Sequence, residues 1–183
     1  MITYKEIYDA AKKERYSESL QPLPKSFIKD FANYLKEKKE VASEEKDVFS
    51  DSLLKTKKQL ENAITLFQEI MRRRRKKILN LVLIASETGI SKQDFNNMFP
   101  LEKDLFEDLI KCVEKSDNKL TKQINGEKGE DMQKNELIVF LDDIKDILDF
   151  NGEKIGNFSK GQIANIPKEI AKILIEDGKA ELV

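Results

Sequence analysis

A hydrophobic repeat on one long helix is the feature of this sequence that most constrains its fold. Two series of residues, each spaced by seven, fall on the same side of a helix. Their members are Leu53, Leu60, Phe67, Arg74, Leu81, Lys57, Ile64, Met71, Ile78 and Ala85. Eight of these ten residues are apolar, which is typical of a helix that packs along its length. The pattern predicts a helix over residues 51–86, roughly 50 Å long at about 1.5 Å per residue.

A helix of this length is too long for the domain that residues 1–115 can form around it. Such a helix must pack along several neighbours or protrude into a partner, so the repeat predicts contact with other subunits. Oligomers of this kind usually have closed symmetry. We assign the following stripe residues to a subunit interface: Leu53, Leu60, Ile64, Phe67, Met71, Arg74 and Ile78.

Six consecutive basic residues, Arg72 to Lys77, interrupt the stripe. Successive helical residues turn by about 100°, so the six side chains cannot all face one groove. Arg74 falls on the stripe and needs a carboxylate or carbonyl partner, in this chain or in another subunit. Two interpretations stay open for the rest of the run. It is either a solvated or subunit-facing side of the helix, or a nucleic-acid site with Arg72, Arg73 and Lys76 as candidate phosphate contacts.

The charge balance and residue usage exclude several classes of function. The 33 basic and 34 acidic residues nearly cancel, unlike those of a protein that coats DNA through bulk charge. The sequence has no histidine, the commonest general base near neutral pH and a common zinc ligand. Its single cysteine, Cys112, lies in a helical context that predicts a small buried side chain. No apolar run approaches the roughly 20 residues that a membrane span needs.

No arrangement of residues predicts a catalytic site, a metal site or a cofactor. The sequence lacks the phosphate-binding pattern GxxxxGK[S/T]. Four carboxylates cluster near the C-terminus, but their spacing does not match an EF-hand loop. We interpret them as the acidic edge of a docking module and predict that they contact a partner: Asp142, Asp143, Asp146 and Asp149.

Composition divides the chain into three parts. Residues 1–115 are predicted to be an all-α helical domain that mediates oligomerisation, and they carry a net charge of +3. Residues 116–135 have few large apolar residues and no periodicity, which predicts a flexible linker. Residues 136–183 are predicted to form a small β-rich domain for partner docking, and residues 116–183 carry a net charge of −4. The predicted fold class is therefore α+β.

The C-terminal part alternates short apolar runs with turn signals. Leu137–Leu141 has the length and apolar character of a strand, and Asn151-Gly152 is a hairpin signal. Pro167 is expected to begin a helix that Gly178 ends, before a last strand. A domain of this size is marginally stable alone, because a small domain buries little of its surface.

The order of short motifs over nearly the whole chain resembles a subunit of the archaeal GINS complex. The resemblance is carried by LPKSFIKDFANYL, IMRRRRKKILNLVLIAS and DFNGEKIGNFSKGQIANIPKEIAKILIEDGKAELV. In the last segment the matching positions are Phe150, Asn151-Gly152, Ile155-Gly156, Gly161-Gln162, Ile166-Pro167, Ala171 and Gly178-Lys179-Ala180. Asn151, Ile155 and Gln162 depart from the residues commoner in the family.

The resemblance implies a replication scaffold rather than an enzyme. A helical domain followed by a β-domain marks one of the two GINS subunit types, and the other type has the reverse order. GINS-like proteins form tetramers through their helical domains, here of this chain alone or with the permuted subunit. They bind the MCM helicase and a RecJ-like or Cdc45-like protein at the replication fork and activate unwinding.

The resemblance also implies a cytoplasmic protein of archaeal replication forks, associated with the nucleoid, with no membrane partner and only weak or indirect contact with DNA. The alternative is a helical nucleic-acid-binding protein that uses Arg72–Lys77 directly. Salt dependence separates the two hypotheses, because direct phosphate contacts make affinity fall steeply with salt.

Overall fold

The structure is a computed structural model that divides the chain into two compact units, Met1–Lys77 and Ile78–Val183. Within these units, the described residues are 2–44, 51–125, 135–148, 152 and 154–183. Helices build the first unit, and helices with two β-sheets build the second. This architecture confirms the predicted α+β class.

The elements of the described ranges follow one another in a simple order. The helices are α1 (Tyr4–Tyr16), α2 (Phe27–Glu44), α3 (Asp51–Glu87), α4 (Lys92–Asn96), α5 (Pro100–Asn125) and α6 (Lys168–Glu176). The strands are β1 (Ile90–Ser91), β2 (Asn135–Phe140), β3 (Ile144–Leu148), β4 (Lys154–Phe158), β5 (Gln162–Pro167) and β6 (Ala180–Leu182). The long helix predicted from the repeat is confirmed as α3.

The sequence sets the start of α1 through a capping box. The Thr3 backbone N–H donates to Glu6 Oε2 at 2.7 Å, and the Glu6 backbone N–H donates to Thr3 Oγ1 at 3.3 Å. These bonds satisfy amide groups that the first helical turn leaves without partners. The helix that follows turns Ile7, Ala10 and Ala11 into the interior.

The core of Met1–Lys77 forms where α1 and α2 pack on the first part of α3. Ile7 and Ala63 are fully buried, and Phe31 stacks on Phe67 with ring centroids 4.1 Å apart. Burial of one large apolar side chain contributes about 1.5–3 kcal/mol. The stripe residues in the first part of α3 therefore pack against α1 and α2 of the same chain.

A buried cluster of charges fastens the end of α1 to α3. The Arg74 side chain is 0% exposed, and the Glu14 side chain is 1% exposed. Arg74 Nη1 donates to Glu14 Oε2 at 3.4 Å and to the Gln21 carbonyl at 2.9 Å. Lys77 Nζ donates to Glu14 Oε1 at 2.5 Å and to the Ser19 carbonyl at 3.0 Å. The buried arginine thus finds its carboxylate in its own chain.

A four-stranded antiparallel sheet in the order β1-β5-β2-β6 organises Ile78–Val183. Strands β3 and β4 pair antiparallel in a separate two-stranded sheet. Asn151 of the predicted Asn151-Gly152 turn lies outside the described residues. Helix α6 begins after Pro167 and contributes to the core beside this sheet. The buried members of that core are Ile138, Phe140, Ile147, Phe158, Ala164, Ile166, Ile170, Ala171, Leu174 and Ala180.

The predicted linker differs from the structure at its start, because α5 continues through residues 116–125. Leu120 and Ile124 lie on this extension and are 57% and 73% exposed, so burial in the chain does not explain it. The extension contains residues that favour a helix, such as lysine and glutamine. The Thr121 hydroxyl also donates to the Asp117 carbonyl of the preceding turn at 3.0 Å. Residues 126–134 lie outside the described residues, so the proposed domain division stays a prediction.

Two further expectations for residues 1–115 are wrong. Ile90–Ser91 forms strand β1 in a region predicted to hold helices alone, because two residues are too few to show an alternating pattern. Cys112 is exposed rather than buried. It lies on α5, where Phe106 and Ile110 are the residues that turn inward.

Replacement of Arg74 by alanine is expected to destabilise the protein by about 3 kcal/mol, because breaking a buried ion pair costs about 3–5 kcal/mol and Lys77 still contacts Glu14. Arg72→Ala on the exposed side of the same helix is the control, with an expected cost below about 1 kcal/mol. Chemical denaturation measures both free energies of unfolding. Equal values for the two variants would show that the Arg74 contacts contribute little.

Candidate functional site

The candidate functional sites in the described residues are surfaces. No group of three or more histidine, cysteine, aspartate or glutamate residues among them could hold a metal ion. No helix of the described ranges is long and apolar enough to cross a membrane. Three surfaces remain: the basic run (Arg72–Lys77), the outer apolar face of α3 (Leu79, Leu83 and Ile84) and the acidic edge (Asp142, Asp143, Asp146 and Asp149).

Part of the basic run is tied to carboxylates within the chain. Arg73 Nε donates to Glu69 Oε1 at 2.7 Å, and Arg15 Nη2 of α1 donates to Glu69 Oε2 at 2.6 Å. Arg74 and Lys77 hold Glu14, as described above. Three members of the run therefore serve the fold of Met1–Lys77 through hydrogen-bonded ion pairs.

The Glu69 carboxylate is held in its charged form by these arginines. The hydrogen bond from Arg15 is the largest cause, and that from Arg73 the second, of a Glu69 pKa lowered to about 2. The same bond with Glu69 raises the pKa of Arg15. Glu69 therefore stays ionised at neutral pH.

The other members of the basic run point outward. Arg72, Arg75 and Lys76 have exposed side chains and take no part in the Glu14 and Glu69 clusters. Of the candidate phosphate contacts, Arg72 and Lys76 are therefore accessible. Arg73 is half-buried beside Glu69 and would have to leave that carboxylate to reach a phosphate.

The seven stripe residues assigned to a subunit interface divide into two groups. Leu53, Arg74 and Ile78 are at most 4% exposed in the single chain. The remaining four are half-buried: Leu60, Ile64, Phe67 and Met71. The assignment of the seven residues to an interface stays a prediction.

The hydrophobic repeat did not predict the outer apolar face of α3. Leu79, Leu83 and Ile84 are 45%, 58% and 46% exposed, while Ile78 and Val82 beside them are buried. This part of α3 is therefore apolar on its outer side as well as its inner side. A helix that is apolar all round is usually buried, so the run Ile78–Ala85 already contained the signal.

The structure describes only some residues of the acidic edge. Asp142 and Asp143 are exposed in the turn between β2 and β3, and Asp143 Oδ1 accepts a hydrogen bond from the Lys160 backbone N–H at 2.7 Å. Asp146 belongs to β3, and Asp149 lies outside the described residues. Asp143 thus has a local structural role, and Asp142 is exposed.

The terminal motif that carries the family resemblance occupies turns and core positions. Gly161 and Gly178 have φ values of 78° and 70°, a left-handed conformation that favours glycine. Ile166, Ala171 and Ala180 are at most 3% exposed within the core. These described positions of the motif therefore specify the fold of the C-terminal part.

Comparison with known protein families gives a match for this C-terminal part. Residues 136–183 match the family model described as Gins51, C-terminal domain. The match covers β3 to β6, α6 and nearly all of β2, and it excludes β1. No curated protein matches the chain. The family match confirms the resemblance inferred from the sequence in residues 136–183.

The Glu69 cluster predicts a pH-dependent contribution to stability. The folded-state pKa, about 2, lies below the ordinary value of 4.5, so ionised Glu69 stabilises the folded chain above that ordinary value. The contribution is lost as pH falls toward 2. The melting temperature of Glu69→Gln should therefore lie below that of the native sequence at neutral pH, and the difference should shrink as the solution is acidified.

Glu87→Gln is the matched control, because Glu87 is an exposed residue of the same helix. Its melting temperature should follow that of the native sequence across the pH range. A Glu69→Gln difference that is independent of pH would contradict the assignment of the effect to the carboxylate charge.

Proposed function

We propose that the chain is a GINS subunit of the Gins51 type and a non-catalytic scaffold that activates the replicative helicase, because residues 136–183 match the family Gins51, C-terminal domain. In this proposal it connects the MCM helicase to a RecJ-like or Cdc45-like protein at the archaeal fork. It needs no cofactor. The family match at the end of a chain that begins with helices is the observation that carries the proposal.

Assembly with other GINS subunits is proposed to use the outer side of α3. Its apolar residues Leu79, Leu83 and Ile84 are too exposed to be explained by the core of the chain, and contiguous exposed apolar surface often marks an interaction site. The half-buried stripe residues, such as Phe67, are a separate candidate contact in the unit Met1–Lys77. The partner is a second copy of the chain or the permuted subunit, in a tetramer.

Docking of fork proteins is proposed to use the C-terminal domain and its acidic edge. The exposed carboxylate of Asp142 suits a basic surface on the partner. A domain tethered to an assembled core acts at a raised local concentration, so a small interface can hold a partner firmly. This division of roles supports a scaffold that binds several proteins at once.

Direct DNA binding is the second candidate, and the exposed Arg72, Arg75 and Lys76 favour it. These side chains lie on one helix and make no ion pair with Glu14 or Glu69. Contacts with phosphate would give an affinity that decreases steeply with salt. The scaffold proposal instead expects weak binding to isolated DNA.

Unwinding of forked DNA by the MCM helicase tests the two candidates together. The full chain and its Arg72→Ala/Lys76→Ala variant are added to the helicase with the permuted subunit present. We expect equal stimulation by both proteins and weak, similar binding to DNA alone. Loss of stimulation by the variant, together with a steep salt dependence of DNA binding by the native chain, would support direct DNA binding and contradict the scaffold proposal.

Leu83→Glu is expected to weaken assembly without unfolding the chain. Loss of one buried large apolar side chain per interface costs about 1.5–3 kcal/mol, or roughly 10- to 150-fold in the dissociation constant. Gln68→Glu, at an exposed position of the same helix, adds the same charge and should assemble normally. Sedimentation velocity measures the assembly, and equal dissociation constants for the two variants would exclude this face from the interface.

A further inference from the structure

Strand β1 attaches the C-terminal sheet to the end of α3. It pairs antiparallel with β5, with Ile90 opposite Ile163 and Ser91 opposite Gln162, and Ile90 is 3% exposed. Neither residue of β1 belongs to the part of the chain that matches the family domain, 136–183. The sheet of that domain is therefore joined by a strand from a preceding part of the chain.

Only Thr88 and Gly89 separate the last residue of α3 from β1. The backbone N–H groups of both residues donate to the Ile84 carbonyl, at 2.8 and 3.1 Å, so both belong to the end of the helix. At the other end of β1, the Lys92 backbone N–H donates to the Gly161 carbonyl at 2.9 Å. The connection from helix to sheet is thus short and hydrogen-bonded at both ends.

Gly89 allows this connection to turn sharply and to approach β5 closely. Its φ is 82°, a conformation that other residues rarely adopt. A Cβ atom on Gly89 would lie 2.6 Å from the Ile163 carbonyl oxygen and 3.0 Å from Ala164 Cβ. A side chain at this position would therefore strain the turn and push β1 away from the backbone of β5.

Side-chain hydrogen bonds hold β5 at two places. Gln162 Nε2 donates to the Thr88 carbonyl at the end of α3, at 2.5 Å. Further along β5, the Asn165 side-chain amide donates to the Glu114 carboxylate of α5. Because β5 is attached both to the end of α3 and to α5, it cannot rotate freely about either attachment.

The rest of the C-terminal domain follows the placement of β5. Strand β2 pairs with β5 over five residue pairs and with β6 over three. Ala164 and Ile166 of β5 lie in the same buried core as Ile170 and Leu174 of α6. A constraint on β5 therefore constrains the whole domain.

We propose that residues 88–92 are a strap that holds the C-terminal domain at a fixed angle to the end of α3. The strap keeps the acidic edge at a constant separation from the outer apolar face of α3. Its consequence for a scaffold rests on the proposed function: a fork protein bound to the domain would be held in one orientation to the subunits assembled on α3. A flexible linker alone would raise the local concentration without fixing an orientation.

Spin labels on α3 and α6 measure whether the domain is held. In the full chain with Cys112→Ser, nitroxides are attached at Asn80→Cys and Lys172→Cys, both exposed positions. Pulsed electron paramagnetic resonance gives the distribution of distances between the two labels, and dilution with unlabelled chain leaves only distances within one chain. We expect one narrow distribution. A broad distribution would overturn the proposal.

Gly89→Ala should release the strap, and the distance distribution should broaden. Gly178→Ala is the matched control, because Gly178 has a φ of 70° and a Cβ atom there would meet no described atom within 4 Å. It introduces the same kind of backbone strain without displacing β1, and its distribution should stay narrow. An unchanged distribution in Gly89→Ala, or equal broadening in both variants, would show that β1 does not hold the domain.

Hydrogen exchange distinguishes release of the strap from unfolding of the domain. In Gly89→Ala the backbone N–H of Lys92 should lose protection, because its bond to Gly161 opens. The β2 amides paired with β5 should keep their protection. Broadening that occurs only together with loss of β2 protection would reflect unfolding and would contradict a strap.

Unwinding by the MCM helicase, with the permuted subunit present, tests the consequence for the scaffold separately. Gly89→Ala should assemble like the native chain, because the outer apolar face of α3 is unchanged, but it should lose most of the stimulation. Equal stimulation by both proteins would contradict the need for a fixed orientation. If the native chain itself gives no stimulation, the proposed function fails, while the distance distributions still decide whether the strap exists.

Discussion

Glu14 carries a negative charge into the interior of Met1–Lys77, and the rest of this unit is arranged to compensate it. Removal of a carboxylate from water costs several kcal/mol unless charges and hydrogen bonds replace the solvent. Arg74 and Lys77 supply both, and the same two side chains bind the carbonyls of Gln21 and Ser19. One buried cluster therefore fixes α1, the connection to α2 and α3 in a single arrangement.

This use of the basic run leaves only part of it at the surface. Arg73, Arg74 and Lys77 hold the fold of Met1–Lys77, and Arg72, Arg75 and Lys76 are exposed on that unit. In the unit Ile78–Val183, the outer apolar face of α3 is exposed. In protein interfaces, apolar side chains give affinity and charges give orientation.

Features with a local or periodic signal were predictable from the sequence. The repeat on α3 indicated a long helix, and the turn signals of the C-terminal part indicated short strands. The order of these motifs indicated the family resemblance. The partner of Arg74 was not predictable, because Glu14 lies sixty residues away and only the packing of α1 brings it there. Strand β1 was also missed, since its two residues show no pattern and depend on β5 for their conformation. Burial of Leu53 and Ile78 by their own chain likewise depends on tertiary packing.

The mass of the purified chain in solution tests the central claim, that this protein is a subunit of a GINS-type scaffold, most directly. Native mass spectrometry at micromolar concentration would be recorded for the chain alone and after mixing with the permuted subunit. The account predicts an assembly of four subunits in at least one of the two samples. A chain that stays monomeric in both samples would contradict the account, because the exposed Leu79, Leu83 and Ile84 would then have no subunit to cover them.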